Sequence, residues 1–332
     1  MPTALVTGAT GFTGGALTAR LVRDGYAVTA FVRESSNVQA LSALGVDIRR
    51  VDITDAEDVA SHMQRFDRVF HVAASYREEH ADKEVFRRVN VDATRHLLEA
   101  AAQQGVGRFV HCSTVGVQGG IDAPPANEAY RLRPGDHYQE SKLEGEQLAL
   151  EFFRNGLPGS VVRPVGIYGP GDRRFLKLFK SVESGWFVMI GNGRTLYHMT
   201  YIDDLVQGFV LAGDSPNALN EVFTIGGPEY TTIEELVRRV AESLGVEPPR
   251  WRVPFLPVYA AAWTCEMLCR PLGISPPLYR RRVEFFHLDR AFDISKARRL
   301  LGYEPRWSLS AGLTATAEAY RTAGWLPPSA RQ

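Results

Sequence analysis

Tyr138 and Lys142 stand four residues apart in a stretch with helical patterning, so both side chains project from one face. A phenol titrates near ~10, too high for easy proton transfer at neutral pH, but an ammonium within ~4–6 Å favours the phenolate and lowers that value by ~1–3 units. The pair therefore reads as an acid or base for an oxygen of a bound molecule. A hydroxyl pair, Ser113 and Thr114, closes a strand-like run at 108–113. Either hydroxyl can bond the reacting oxygen. The two point to opposite faces of an extended segment, and spacing alone does not choose between them.

A second constellation begins the chain. Residues Ala4 to Thr7 run straight into Gly8, Gly11 and Gly14, spaced three apart, and residues 16–25 have helical periodicity through Leu17, Leu21 and Val22. This predicts strand, tight turn and helix. One glycine makes the turn, one lets the backbone approach a pyrophosphate, and one lets the helix pack on the strand. The pyrophosphate would sit on the open N–H groups of the helix start. Beside a proton-transfer pair, such a loop points to hydride chemistry supplied by a nicotinamide.

The elements that must position these groups alternate. Strands are expected at 27–33, 46–51, 68–73, 108–113 and 160–164, with helices at 37–44, 56–64, 83–104 and 138–155. Crossovers of this length join parallel strands, which predicts an α/β fold: a Rossmann-type doubly wound parallel sheet with ligands at the carboxyl ends of its strands. Helices at 174–183, 203–212 and 231–244, a short strand at 186–190 and a β run at 222–225 follow. The expected division is a dinucleotide-binding domain at 1–166, to which 203–226 returns, and a smaller C-terminal substrate-binding lobe at 167–202 and 227–332.

Composition bounds the function. The 332 residues are 45% hydrophobic and 23% charged, with Lys+Arg and Asp+Glu both at 38, enough for a large core and without a basic block for nucleic acid. A small-molecule substrate is the expected partner. Three cysteines make no disulfide framework, and the first strand starts too early for a signal peptide, so a cytoplasmic location is expected. The apolar run 255–269 is shorter than the ~20 residues of a membrane span and reads as a helix lining a greasy pocket. Cys265 and Cys269 share a helix face without a completing ligand, so no metal site is expected. His71 and His111, inside apolar strands, read as packed neutral histidines; Glu128 reads as a brace for its loop, and Arg280 to Arg282 as a solvated turn.

With these residues in place the sequence resembles the extended short-chain dehydrogenase/reductases. The resemblance is carried by Thr7-Gly-Ala-Thr-Gly-Phe-Thr-Gly14, Asp52-Ile-Thr54, His71-Val-Ala-Ala74, Val89-Asn-Val91, Ser113-Thr114, Tyr138-Gln-Glu-Ser-Lys142, Arg163-Pro164, Tyr168-Gly-Pro-Gly171 and Tyr201-Ile-Asp-Asp204, in order over nearly the whole chain. It implies that Thr7, Gly8, Gly11, Phe12 and Gly14 form the cofactor loop, that Asp52 and Ile53 contact adenine, and that Ala73 lies along the cofactor. It makes Tyr138 the catalytic acid/base and Thr114 the assisting hydroxyl. Lys142 would also hold the nicotinamide ribose, and Pro164 to Ile167 would border the nicotinamide. A homodimer pairing through the helices at 83–104 and 138–155 follows by the same analogy.

Within that family, 190–204 and 292–305 look most like the 3β-hydroxysteroid dehydrogenase and dihydroflavonol 4-reductase branches. Nucleotide-sugar epimerases and dehydratases, with tightly bound NAD(P), are the alternative. That branch often places an arginine ahead of the Asp-Asp pair for a sugar diphosphate; here Tyr197 to Thr200 occupy the stretch and Arg194 is the nearest cation. At the end of the second strand, where an NAD enzyme usually places an aspartate, stands Arg33, which suits a 2′-phosphate. The expectation is an NADP(H)-dependent oxidoreductase, NAD less favoured, interconverting a ketone and a secondary alcohol. The apolar stretch 255–272, with Tyr259 and Trp263, motivates a largely apolar substrate.

Overall fold

Alternating apolar strands and helices build one parallel sheet in a computed structural model that describes residues 1–76, 83–269, 274 and 276–328. In chain order the first half runs β1 (Thr3–Thr7), α1 (Phe12–Arg23), β2 (Ala27–Val32), α2 (Gln39–Ala43), β3 (Asp47–Arg50), α3 (Ala56–His62), β4 (Arg68–His71), α4 (Lys83–Arg87), α5 (Ala93–Gln103), β5 (Phe109–Cys112), α6 (His137–Arg154) and β6 (Gly159–Pro164). The second half runs β7 (Gly166–Tyr168), α7 (Leu176–Glu183), β8 (Met189–Ile190), β9 (Leu196–Tyr201), α8 (Ile202–Asp214), β10 (Val222–Ile225), β11 (Tyr230–Thr232), α9 (Ile233–Leu244), β12 (Arg252–Val253), α10 (Phe255–Cys269), α11 (Arg280–Glu284), α12 (Ser295–Leu301) and α13 (Leu309–Thr322).

The sheet order is β10-β6-β5-β4-β1-β2-β3, every pairing parallel. Strand order reverses between β1 and β4, the place where sheets of this kind take a ligand at the carboxyl ends of their strands. The strands are buried on both faces because each face is covered by helices. Leu17, Leu21, Leu205 and Phe209 form one apolar layer with the strands, and Val59, Leu97, Leu148 and Phe153 form the other. Each such fully buried side chain stabilises the fold by about 1.5–3 kcal/mol.

Three places depart from the sequence expectation, one being that α11, α12 and α13 are helices the sequence reading did not place, with Arg280 to Arg282 in α11 rather than in a turn. The helix expected over 83–104 is interrupted by a π-helical turn, Arg88–Asp92, between α4 and α5. Beyond β6, a three-stranded sheet of β7, β9 and β11 and a pair of β8 with β12 appear, of which only a strand near β8 was expected. These strands span two to six residues and carry no clear alternation.

Candidate active site

The glycine loop fits a dinucleotide. Gly8 has φ 74, and a Cβ there would sit 2.7 Å from the Ala73 amide nitrogen, so β1 and the end of β4 touch through it. At Gly14 a Cβ would fall 2.1 Å from the Gly8 carbonyl oxygen, which fixes how closely α1 lies on the loop. The N-cap of α1, Gly11, offers no side-chain acceptor, and its first turn holds no acidic residue. Those free N–H groups at the positive end of the helix dipole suit a diphosphate. Thr7 is different: its buried hydroxyl bonds His71 Nδ1 at 2.8 Å and accepts from the Ala73 amide at 3.3 Å, so it shapes the floor of the loop.

At the ends of β2 and β3, Arg33 is exposed, and among the described residues its guanidinium has no partner. A cation that sequence reasoning missed lies beside it. Arg50 Nη1 donates to the carbonyls of Arg33 at 2.8 Å and Ser36 at 3.3 Å, holding the turn that carries Arg33. Asp52 accepts from the Thr54 amide and hydroxyl, and these bonds hold its carboxyl below the ordinary value. The Ile53 carbonyl faces His96 Nδ1 at 3.4 Å.

Tyr138 enters the cleft from the first turn of α6, whose N-cap Asp136 accepts from the Gln139 amide at 2.9 Å. Its ring packs edge-on against Tyr76, centroids 4.9 Å apart, and against Phe86 at 6.4 Å. One helical turn on, Lys142 is buried and donates from Nζ to the Cys112 carbonyl at 2.6 Å. Burial pushes the Tyr138 phenol well above its ordinary value and the Lys142 ammonium below its own. The expected lowering of Tyr138 by Lys142 is therefore not seen. Desolvation raises the phenol, the charge that opposes it is Arg174, and the Lys142 ammonium is turned to a carbonyl instead. The phenol thus keeps its proton through neutral pH.

The two hydroxyls at the end of β5 part as their opposite faces require. Ser113 is buried and donates to Glu146 Oε2 at 2.5 Å; Glu146 is in turn held by Arg163, Nε to Oε2 at 2.9 Å and Nη2 to Oε1 at 2.5 Å. Thr114, half-buried, caps the short helix Val115–Gln118 by accepting from the Gly116 amide at 3.1 Å, which leaves its hydroxyl proton for another acceptor. Glu128 braces its loop as expected: Oε1 accepts from the Thr224 amide at 2.8 Å and its carbonyl from Arg163 at 3.2 Å.

Two further residues position the site. Asn90, in the π-turn, takes the Ser75 amide at 2.9 Å and donates to Ser141 Oγ at 2.9 Å, and Ser141 donates to the Tyr138 carbonyl at 2.8 Å. This chain ties the end of β4 to the turn that carries the phenol. Arg174 donates to the Ile167 carbonyl at 2.9 Å and to buried Asp172 at 2.7 Å, with its guanidinium 5.4 Å from the Phe12 ring centre. It joins the glycine loop to the segment Pro164 to Ile167. The one signal for Arg174 was its place just after Tyr168-Gly-Pro-Gly171; Asn90 stood inside a quoted motif without a role.

Behind Lys142 lie His71 and His111, both fully buried, ring centroids 5.4 Å apart. Burial pushes His71 down to about 3 and His111 well below its ordinary value, so both are neutral. The sequence expectation for the pair stands.

The wall facing Gly166 is aromatic. Tyr197 packs 5.0 Å from Phe285 and 6.5 Å from Phe175, and a Cβ on Gly166 would meet its Cε1 at 2.9 Å. Arg194 instead lines a separate cavity of about 280 Å³ with Asn192, Phe255, Phe286 and His287. The expected pocket helix does not supply this wall. Helix α10 buries only Ala262 and Glu266 and turns Leu256, Trp263, Met267 and Leu268 outward; residues 270–272 of the apolar stretch lie outside the described residues. No group of three His, Cys, Asp or Glu among the described residues is arranged to hold a metal ion.

The sequence profile of the NAD dependent epimerase/dehydratase family matches residues 4–226. A 3-beta-hydroxysteroid dehydrogenase of Mycolicibacterium neoaurum is 34% identical over 322 residues, covering 91% of this chain and 86% of that protein. A 4-hydroxy-2-methyl-3-oxo-4-farnesyl-3,4-dihydroquinoline-1-oxide ketoreductase of Stigmatella aurantiaca is 31% identical, covering 95% of each chain. Among solved structures, a UDP-glucuronic acid 4-epimerase from Bacillus cereus in complex with NAD superposes with a TM-score of 0.75 at 26% identity, over 97% of this chain and 99% of that one.

Proposed function

This chain belongs to the NAD dependent epimerase/dehydratase family, among the extended short-chain dehydrogenase/reductases, and from that premise we propose that it is an NADP(H)-dependent oxidoreductase interconverting a ketone and a secondary alcohol on a largely apolar substrate, cyclic ones included. The observation that carries this reading is the aromatic wall of Phe175, Tyr197 and Phe285 against Gly166, where a sugar-diphosphate enzyme of the family often places an arginine. Relatives named as steroid dehydrogenase and ketoreductase support the same class.

The nicotinamide supplies the hydride; the chain does the rest. Gly8, Gly11, Gly14 and the α1 amides would hold the diphosphate, Asp52 and Ile53 the adenine, and Arg33, on a turn fixed by Arg50, the 2′-phosphate. Lys142 would hold the ribose, and Ala73 and Pro164 to Ile167 would line the nicotinamide. Thr114 donates to the substrate oxygen and Tyr138 delivers its proton to that oxygen. Lys142, turned away from the Cys112 carbonyl that it holds here, would then stabilise the phenolate left behind. Because burial keeps the phenol protonated, the reductive direction begins with its proton in place.

The cofactor half is assigned to 1–166 with 203–226 and the substrate lobe to 167–202 and 227–332; the parallel pairing of β10 on β6 supports the return. A cytoplasmic location is supported by three unpaired cysteines, Cys112, Cys265 and Cys269.

Absorbance at 340 nm tests the reading, with ketone panels and UDP-sugars supplied in turn. Net NADPH consumption with a ketone is expected, with a lower Michaelis constant for NADPH than for NADH. Sugar interconversion without net consumption would instead establish the epimerase or dehydratase alternative.

A further inference from the structure

Between the cofactor loop and the helix that carries the phenol lies a buried ring that the reaction does not use. His71, at the end of β4, is 1% exposed and stands edge-on to Phe109 at 6.2 Å and 5.4 Å from His111. Its Nδ1 meets the Thr7 hydroxyl at 2.8 Å and its Nε2 the Thr94 hydroxyl at 2.9 Å. Thr7 ends β1 and enters the glycine loop, where its oxygen accepts from the Ala73 amide at 3.3 Å. Thr94 lies in the first turn of α5, just past the π-turn, and donates to the Asn90 carbonyl at 2.9 Å. The Asn90 side chain holds Ser141, and Ser141 holds the Tyr138 carbonyl. One ring thus spans the distance between the two halves of the site.

Each hydroxyl has one proton to give, and that fixes the tautomer of the ring. Thr94 gives its proton to Asn90, so it accepts from His71 Nε2–H, and Nδ1 is left to accept from Thr7. Every donor then has an acceptor, from the Ala73 amide through Thr7, His71 and Thr94 to the Asn90 carbonyl. In the other tautomer Thr7 would accept twice, from Ala73 and from Nδ1–H, and its own proton would have no acceptor among the described residues. Thr7 and Thr94 are fully buried, so water does not take that place, and an unpaired buried donor is strongly disfavoured. A buried network with every member satisfied is rigid and responds as a unit. We propose that His71, held as the Nε2–H tautomer, is a positioning residue that couples the glycine loop to the turn carrying Tyr138, so that seating the dinucleotide and aiming the phenol are linked. This coupling rests on the reading that the loop holds NADPH and the phenol gives the proton.

The tautomer is read on the wild-type chain by nitrogen NMR of imidazole-labelled protein at neutral pH, with His71 assigned by its absence from His71→Gln. A proton on Nε2 and a bare Nδ1 are expected; a proton on Nδ1 would overturn the proposal. Coupling is read in Thr94→Val, which keeps the shape of the side chain but removes the oxygen between Nε2–H and Asn90. Fully buried, Thr94 reaches neither cofactor nor substrate. The variant should nevertheless weaken NADPH binding by about three- to tenfold. At saturating NADPH it should also slow single-turnover hydride transfer, to a ketone that the wild-type chain reduces, by about tenfold. Thr94→Ser, which returns the oxygen, should restore both. A purely structural role would lower the melting temperature of Thr94→Val and leave its NADPH affinity and transfer rate at wild-type values, which would overturn the proposal. So would equal losses in Thr94→Val and Thr94→Ser. A wild-type chain that fails to bind NADPH would instead refute the reading of the cofactor, and NADH titrated into the same variants would then decide the coupling.

Discussion

At the scale of single residues, burial decides protonation. Tyr138 keeps its proton because its phenolate would be desolvated; Ser113 spends its hydrogen bond on the buried Glu146 carboxylate, which leaves Thr114 as the uncommitted hydroxyl at the end of β5. His71, His111 and His198 stay neutral because burial depresses all three. Their unfolded counterparts take up protons near 6.5, so the unfolded state binds more protons than the native state below that value. Stability is therefore full above about pH 6.5 and falls with pH by up to about 1.4 kcal/mol per unit for each histidine, before most carboxylates titrate. Urea midpoints at about pH 7 and about pH 5 check this: His111→Leu should shrink the difference, and an unchanged difference would remove His111 from the account. At this scale the sequence was legible where type and spacing carried the chemistry, as at Tyr138, Lys142 and the three glycines. Arg50, Arg174 and Asn90 were not, because their partners at Arg33, Phe12 and Ser141 come from other elements that only folding brings near.

Elements position the chemistry through close backbone contact. A Cβ on Gly145 would crowd the Asn90 carbonyl oxygen, so α6, which carries Tyr138, rests directly on the π-turn. At the other end of the cleft, Gly14 does the same for α1 against the Gly8 carbonyl. Backbone on both sides leaves no flexible atom to move aside. Gly14→Ala should destabilise by about 3 kcal/mol and raise the Michaelis constant for NADPH, measured by thermal melting and cofactor titration. A variant matching wild type in both would show that the loop tolerates the methyl. The parallel strands and long helices of the first half were readable because their periods run for several turns or pairs. The π-turn was not, since its residues keep a helical pattern. The strands β7 and β11, at three residues each, are too brief to alternate visibly, and the six residues of β9, Leu196–Tyr201, show no regular alternation. Helix α10 misled because an apolar run says buried by default, and here its charge is the part turned in.

At the scale of the whole molecule, a parallel sheet holds the glycine loop, Tyr138 and Lys142 at one edge, and the later segments close over it with an aromatic wall. The helices α5 and α6 cover the opposite face of the sheet from α1 and α8. By family analogy two copies should pair through α4 to α6, so light scattering should return roughly twice the 36.8 kDa chain mass; a monomer would remove that pairing. The proposed reaction gives cofactor binding to the carboxyl ends of the strands and proton delivery to one phenol, which makes the two separable by experiment. Single-turnover hydride transfer in Tyr138→Phe, measured beside the dissociation constant for NADPH, tests this most directly. The account predicts an unchanged constant and a transfer rate lower by ~10² or more. A variant that transfers hydride at nearly the wild-type rate would contradict it.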